Sequence, residues 1–310
     1  MESILITGGT GLVGTHLSQV LQQQGYQVVI ATRKNPTTLT TKSPQVSYIQ
    51  WDPSRQYIDP SIFGTIDHII NLAGAGVADQ RWTEKRKKEI LQSRVDSGFT
   101  ITKALQQLPN KVKTVVQASA IGWYGPDASP IVPFEENAPM DHHYLGTTCG
   151  AWESSVTEVK ALSKRVVTFR IGIVLSKEGG ALKEFLKPVK MGVAPVFASG
   201  SQMVSWIHIG DLCNMLVFAI QNEQLHGIYN AVAPHPVSQK TLIKALVKAV
   251  KPPIHILAPV PAFVLKLMLG EMSVEILKSA TVSSRKIQEA GFLFSYEKIE
   301  DAFHTFFSTP

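Results

Sequence analysis

Ser3-Ile4-Leu5-Ile6-Thr7 runs without a break into Gly8-Gly9-Thr10-Gly11-Leu12-Val13-Gly14, after which Leu17, Val20 and Leu21 recur at helical spacing. A short buried strand that enters a helix through glycines leaves few folds open. The glycines let backbone N–H groups approach a diphosphate, and the positive end of the following helix stands behind them. A glycine pattern alone is weak evidence, but both flanks that the motif requires are present. Thr7 to Gly14 therefore predict a dinucleotide cradle. The plainer alternative is a tight turn with no ligand.

The end of the second strand decides which dinucleotide. Gln27 to Thr32 is apolar and strand-like, and Arg33 and Lys34 follow it. A site for NAD usually places a carboxylate here to accept from the ribose hydroxyls. None occurs between Gly25 and Gln50. Arg33 instead offers a planar fork suited to a 2′-phosphate, which predicts NADP(H). Asp52, after the apolar run from Val46, either faces the adenine or caps a turn with Pro53.

Downstream, strand patterns alternate with helical ones. His68 to Leu72 ends at Ala73-Gly74, Thr83 to Leu108 shows long helical periodicity, and Val112 to Gln117 ends in Ala118-Ser119-Ala120. This alternation predicts an α/β protein, a Rossmann doubly wound parallel sheet with helices on both faces. Ligands bind such sheets at the carboxyl ends of the strands, so Gly8, Arg33, Asp52, Leu72, Ala73, Gly74 and Ser119 are expected to share one cleft. Residues 1–175 are assigned to this core, with 205–233 returning to it. Residues 176–204 and 234–310 are assigned to a smaller, mostly C-terminal substrate region.

Composition narrows the partners. A chain of 310 residues with 44% hydrophobic content can bury a large core. The net charge of +6 is mild, and its densest cluster, Lys85 to Lys88, lies in a helical pattern beside Glu84 and Glu89. A solvated face explains that cluster, and no nucleic-acid partner is expected. Two cysteines are too few for a disulfide scaffold or a metal cluster. With a strand at residue 3 and no apolar run of spanning length, neither a signal peptide nor a membrane segment is expected, which points to the cytoplasm.

The order of motifs resembles the extended short-chain dehydrogenase/reductase superfamily, which contains the sugar-nucleotide epimerases. The landmarks are Thr7 to Gly14, Asn71-Leu72-Ala73-Gly74, Tyr124-Gly125, Arg170-Ile171-Gly172, Trp206 to Leu212 and Gly227-Ile228-Tyr229-Asn230. Arg81-Trp82-Thr83-Glu84, Ser93-Arg94-Val95, Trp152-Glu153, Pro261-Ala262-Phe263 and Leu269 to Met272 are similar to an atypical epimerase-like subgroup of NADP-dependent oxidoreductases. The resemblance spans nearly the whole chain. It implies a small-molecule substrate, and dimers are common in the superfamily, so a homodimer is an open expectation.

That resemblance breaks at the chemistry. The superfamily uses a Tyr-x-x-x-Lys pair with a serine or threonine: the tyrosine exchanges the proton, while the lysine tunes it and holds the nicotinamide ribose. No Tyr-x-x-x-Lys occurs here. Cys149 and Glu153 stand at the tyrosine and lysine positions, Ala120 at the serine position with Ser119 one residue earlier, and Arg94 near the asparagine position, where it is also an expected cofactor-binding residue. The candidate acid/base set is therefore Ser119, Tyr124, Cys149 and Glu153, and an Arg94–Glu153 ion pair across the cleft floor is expected to neutralise the glutamate. Arg81, Trp82, Trp206 and Arg285 are candidate substrate residues, suited to an anionic or nucleotide-linked molecule. The expected function is an NADP(H)-dependent oxidoreductase or epimerase-like enzyme. The alternative is a non-enzymatic, NADP(H)-responsive protein, which would match the cell-division label some relatives carry.

Overall fold

The computed structural model describes residues 1–40 and 43–308. Its centre is an eight-stranded sheet made of β1 (Ser3–Thr7), β2 (Gln27–Thr32), β3 (Val46–Asp52), β4 (Tyr57–Ile58), β5 (His68–Asn71), β6 (Thr114–Ala120), β7 (Arg165–Ile171) and the Gly227–Ala231 strand. Across the sheet the order is Gly227–Ala231, β7, β6, β5, β1, β2, β3, β4. Only β4 runs antiparallel to its neighbour. The chain winds outward from β1 through β2 and β3, then crosses back to start again at β5. The switch point of this doubly wound Rossmann sheet therefore lies between β1 and β5, where the first strand feeds the glycine turn.

Period-two alternation assigns each strand residue a face. Ile4 and Ile6 pack with Leu17 and Leu21 of α1 (Leu12–Gln23) and Leu212 and Leu216 of α5 (Ile209–Gln221). Leu5 packs on the other face with Ile101 and Leu105 of α2 (Glu84–Gln107). Both faces are covered, which is why β1, β5 and β6 read as unbroken apolar runs. A separate core joins Leu182 and Leu186 of α4 (Gly180–Lys190) to Leu242 and Leu246 of α6 (Gln239–Val250) and to Phe303. Ile287 and Phe292, although late in the chain, pack into the α1/α5 face of the main sheet.

Among the described residues no helix is long and apolar enough to cross a membrane. Trp206 is fully buried in the α4/α6 core, and its indole N–H donates to the His235 carbonyl at 3.0 Å. The expectation that it lines a substrate pocket is corrected: a ring committed to packing has no face left for a ligand.

The Trp206-to-Asp211 motif is a joint. His208 caps α5, its Nδ1 accepting from the Gly210 N–H at 3.0 Å. The buried Asp211 carboxylate accepts from the Ser295 and Tyr296 amides, tying the C-terminal segment to α5. His208 is stacked on Phe306 and buried, and that burial pushes its pKa from 6.5 down to about 4. The unfolded chain therefore binds a proton that the native imidazole refuses. The stability contribution is whole above pH 6.5 and declines as pH falls through that value toward 4. Between pH 7 and pH 5 this group alone is expected to cost about 2 kcal/mol. His208→Asn keeps a capping side chain without the titration. Urea unfolding at the two pH values is expected to show a smaller acid loss in this variant than in wild type.

Candidate functional site

The cradle is built by close backbone approach. Gly8 has φ +69°, and a Cβ there would stand 2.8 Å from the Leu72 carbonyl group. At Gly14 a Cβ would lie 2.5 Å from both the Gly8 oxygen and the Gly9 Cα. Glycine is therefore required at both positions for the turn to close on α1 and on the end of β5. No side chain caps α1, and no acidic residue lies in its first turn. The N-terminal amides are left for an anion, with the helix dipole behind them. These features fit a dinucleotide diphosphate.

Beneath the cradle, buried side chains lock the strand ends together. Thr7 donates to Asn71, and the Asn71 amide donates to Gln117 at 2.8 Å and to Ser97 at 3.2 Å. This ties β1, β5, β6 and α2 at their ligand-facing ends. The sequence reading assigned Asn71, Ser97 and Gln117 no part in the site. The only signal for their pairing was polar residues at buried positions, Asn71 and Gln117 in apolar strands and Ser97 on α2, which must find partners.

Arg33 lies at the end of β2, exposed, and its guanidinium meets no carboxylate among the described residues. Asp52 takes the second of its two expected roles. It accepts from the Ser54 amide at 3.1 Å and pairs with Arg55, capping the short turn after β3. The side chain is one-third exposed, and a carboxylate has more lone pairs than this turn uses, so capping and a contact with the adenine are compatible.

The acid/base candidates converge, but around a residue the sequence reading did not assign. Arg170, at the end of β7, is 1% exposed. Its Nε and Nη2 donate to the two Glu153 carboxylate oxygens at 2.8 and 3.1 Å, a bidentate pair. Its Nη1 donates to Tyr124 Oη at 3.1 Å and to the Glu136 carbonyl at 3.0 Å. The guanidinium carbon sits 3.6 Å from the centre of the Trp123 ring. Ser119 donates to Glu153 at 2.7 Å, and Tyr124 donates to Asn230 at 2.6 Å. The expected Arg94–Glu153 pair is thus replaced by Arg170–Glu153, because the long Arg170 side chain at the end of β7 reaches Glu153 on α3 (Tyr144–Ser154). A charged residue ending the apolar strand Val166–Phe169 was the available clue: it needs a buried partner.

Two candidates are protonated as they stand. Burial pushes the Tyr124 phenol up to about 12, against the opposing pull of Arg170. Its ring is fully buried and stacked on Phe134 at 5.1 Å. Burial also pushes the Cys149 thiol up to about 11, and the negative charge of Glu153 adds to that shift. The Cys149 S–H donates to the Ala120 carbonyl at 3.5 Å. Neither group is tuned toward proton exchange near neutral pH.

Residues 4–231 match the model of the NAD-dependent epimerase/dehydratase family. The chain belongs to that family. Residues 260–306 match a domain of unknown function, DUF1731. The epimerase family protein YfhF of Bacillus subtilis is 36% identical over 300 residues, spanning 97% of this chain and 96% of its own. The epimerase family protein SERP0438 of Staphylococcus epidermidis is 34% identical over 304 residues, with 97% and 98% covered. Among solved structures, human epimerase family protein SDR39U1 (isoform 2), determined with NADPH, superposes with a TM-score of 0.85 at 27% identity, covering 98% of each chain. UDP-glucose 4-epimerase of Thermus thermophilus, determined with NAD, has a TM-score of 0.75 at 18% identity, covering 98% of this chain and 97% of that one, and shares the fold.

Within this epimerase-family framework the remaining expected substrate residues separate. Trp82 is buried against Tyr144 and Met272, and its N–H donates to the Val77 carbonyl at 2.9 Å, so its ring packs a loop rather than standing open. Arg81 is exposed beside Gly270. Arg285, also exposed, pairs with Glu135 on the rim of a surface cavity of about 260 Å³ that includes no cradle residue.

Proposed function

We propose that this chain binds NADP(H) in the β1–α1 cleft and uses it as an oxidoreductase or epimerase-like enzyme on a small anionic or nucleotide-linked substrate. The observation that carries the reading is the cradle at the switch point: two glycines that no Cβ could replace, an uncapped α1, and Arg33 at the end of β2 with no carboxylate. In this reading Thr7 to Gly14 hold the diphosphate, Arg33 takes the 2′-phosphate, and Leu72, Ala73 and Gly74 border the dinucleotide. The bound cofactor would supply hydride transfer. Of the four acid/base candidates, Glu153 is the least buried, with an 11% exposed side chain. It is the group best placed to accept a proton from a substrate, with Arg170 holding its orientation and Ser119 already donating to it.

One observation favours the non-enzymatic alternative. Ser119, Tyr124, Cys149 and Glu153 are all hydrogen-bonded within the protein. A cleft that kept the cofactor and froze the chemistry would signal through binding alone.

Calorimetric titration with NADPH and NADH tests the cofactor. Arg33→Ala is expected to weaken NADPH about tenfold or more, roughly 1.4 kcal/mol, and to leave NADH unchanged. Equal affinities untouched by the mutation would overturn the NADP assignment. Deuterium exchange between 4-deuterated NADPH and a panel of nucleotide sugars then separates the readings. Transfer to any of them supports the enzyme, and a partner protein whose affinity depends on NADPH supports the alternative.

A further inference from the structure

Arg94, on α2 beside the cleft, is a charge that no carboxylate among the described residues pairs. Its side chain lies against Gly74 at the end of β5: a Cβ on that glycine would be 3.1 Å from Arg94 Cγ and Cζ. Nη1 donates to the carbonyls of Ala75 and Ile90 at 2.9 and 3.0 Å, which fixes the guanidinium in place. Nε and Nη2 find no acceptor among the described residues, and no carboxylate pairs with the group. The guanidinium carbon lies 4.9 Å from the centre of the Trp152 ring, whose buried N–H is also without an acceptor there. Neither Arg94 Nε and Nη2 nor the Trp152 N–H has an acceptor among the described residues. A half-buried cation kept without a counter-ion is costly unless a ligand completes it.

Its position names the ligand. Arg33 lies on the β2 side of the cradle and Arg94 on the β5 side. A dinucleotide whose diphosphate rests on α1 and whose adenosine phosphate reaches Arg33 must send its other nucleoside toward Gly74. On that side the Glu153 charge is matched by Arg170, so the pair is neutral as a unit, and the Cys149 thiol is neutral.

Resting on the NADP(H) reading, we propose that Arg94 is the cation of the nicotinamide-nucleotide half of the site, donating through Nε and Nη2 to its ribose hydroxyls and phosphate. The positive charge that a lysine on α3 would have supplied comes instead from α2, and the α3 position has become the acidic half of an internal pair. Arg94 acts here as a binding and positioning residue.

The experiment compares NADPH with adenosine 2′,5′-bisphosphate, which fills the adenosine half alone. Arg94→Gln is expected to weaken NADPH about tenfold or more while leaving the bisphosphate unchanged, as for a lost charge-assisted hydrogen bond. Arg94→Lys is expected to recover part of that loss. Equal weakening of both ligands would mean a general collapse of the cleft and would overturn the proposal, as would no weakening of either. Arginine footprinting with phenylglyoxal on the wild-type chain needs no variant to fold. NADPH is expected to protect Arg94 and the bisphosphate not to; equal reactivity with and without NADPH sinks the assignment. If wild type binds neither ligand, the cofactor reading itself has failed, and if Arg33→Ala leaves both affinities intact, the 2′-phosphate assignment has failed. That result is distinct from a failure at Arg94 alone.

Discussion

Replacing Arg170 with methionine is expected to destabilise the fold by about 3–5 kcal/mol, because it leaves Glu153 as an uncompensated carboxylate in a largely closed site. The same change strips Tyr124 and the Glu136 carbonyl of a donor and removes the cation stacked on Trp123. Urea unfolding followed by tryptophan fluorescence would measure it. The double variant Arg170→Met with Glu153→Leu is expected to recover most of the loss, since removing both charges leaves nothing buried and unpaired. A single variant as stable as wild type would mean the pair is solvated in solution and the network does not organise the site. A double variant no better than the single would place the cost in packing against Trp123 instead.

Gly14→Ala is expected to abolish NADPH binding on the calorimetric scale. The added methyl meets backbone at 2.5 Å on two sides, and backbone cannot step aside as the tip of a flexible side chain can. The turn must open, and the amides facing the diphosphate move with it. Losing two charge-assisted hydrogen bonds corresponds to about 3 kcal/mol or more, a hundredfold or more in affinity. The overpacking itself is expected to cost about 1–3 kcal/mol of stability. Gly64→Ala is the control, because a Cβ there meets nothing within 4 Å. It is expected to change neither affinity nor stability by more than about 0.5 kcal/mol. Wild-type affinity in Gly14→Ala would show that the ligand does not use the α1 amides.

Whether a feature of this chain is legible in the sequence depends on the range of the interactions that encode it. The strand–glycine–helix order, the doubly wound sheet, the open β2 end at Arg33 and the absence of Tyr-x-x-x-Lys were all legible in the sequence, because local periodicity and spacing encode them. A residue's place at the carboxyl end of a strand follows from the same local pattern, which is why Gly8, Gly74 and Ser119 could be expected at one edge of the sheet. Which side chains pair there could not be read. Arg170 reaches Glu153 across 17 positions of sequence and Asn230 reaches Tyr124 across 106. Arg94 and Arg170 look alike in the sequence, as arginines near motifs. Only the tertiary arrangement gives Glu153 to Arg170 and sets Arg94 against the Ala75 and Ile90 carbonyls. The same holds for Trp206: its residue type suited a ligand, but tertiary packing buried it. Periodicity fixed the fold and the cradle, whereas the pairing of buried charges, which depends on distances between elements far apart in the chain, was decided by the tertiary structure.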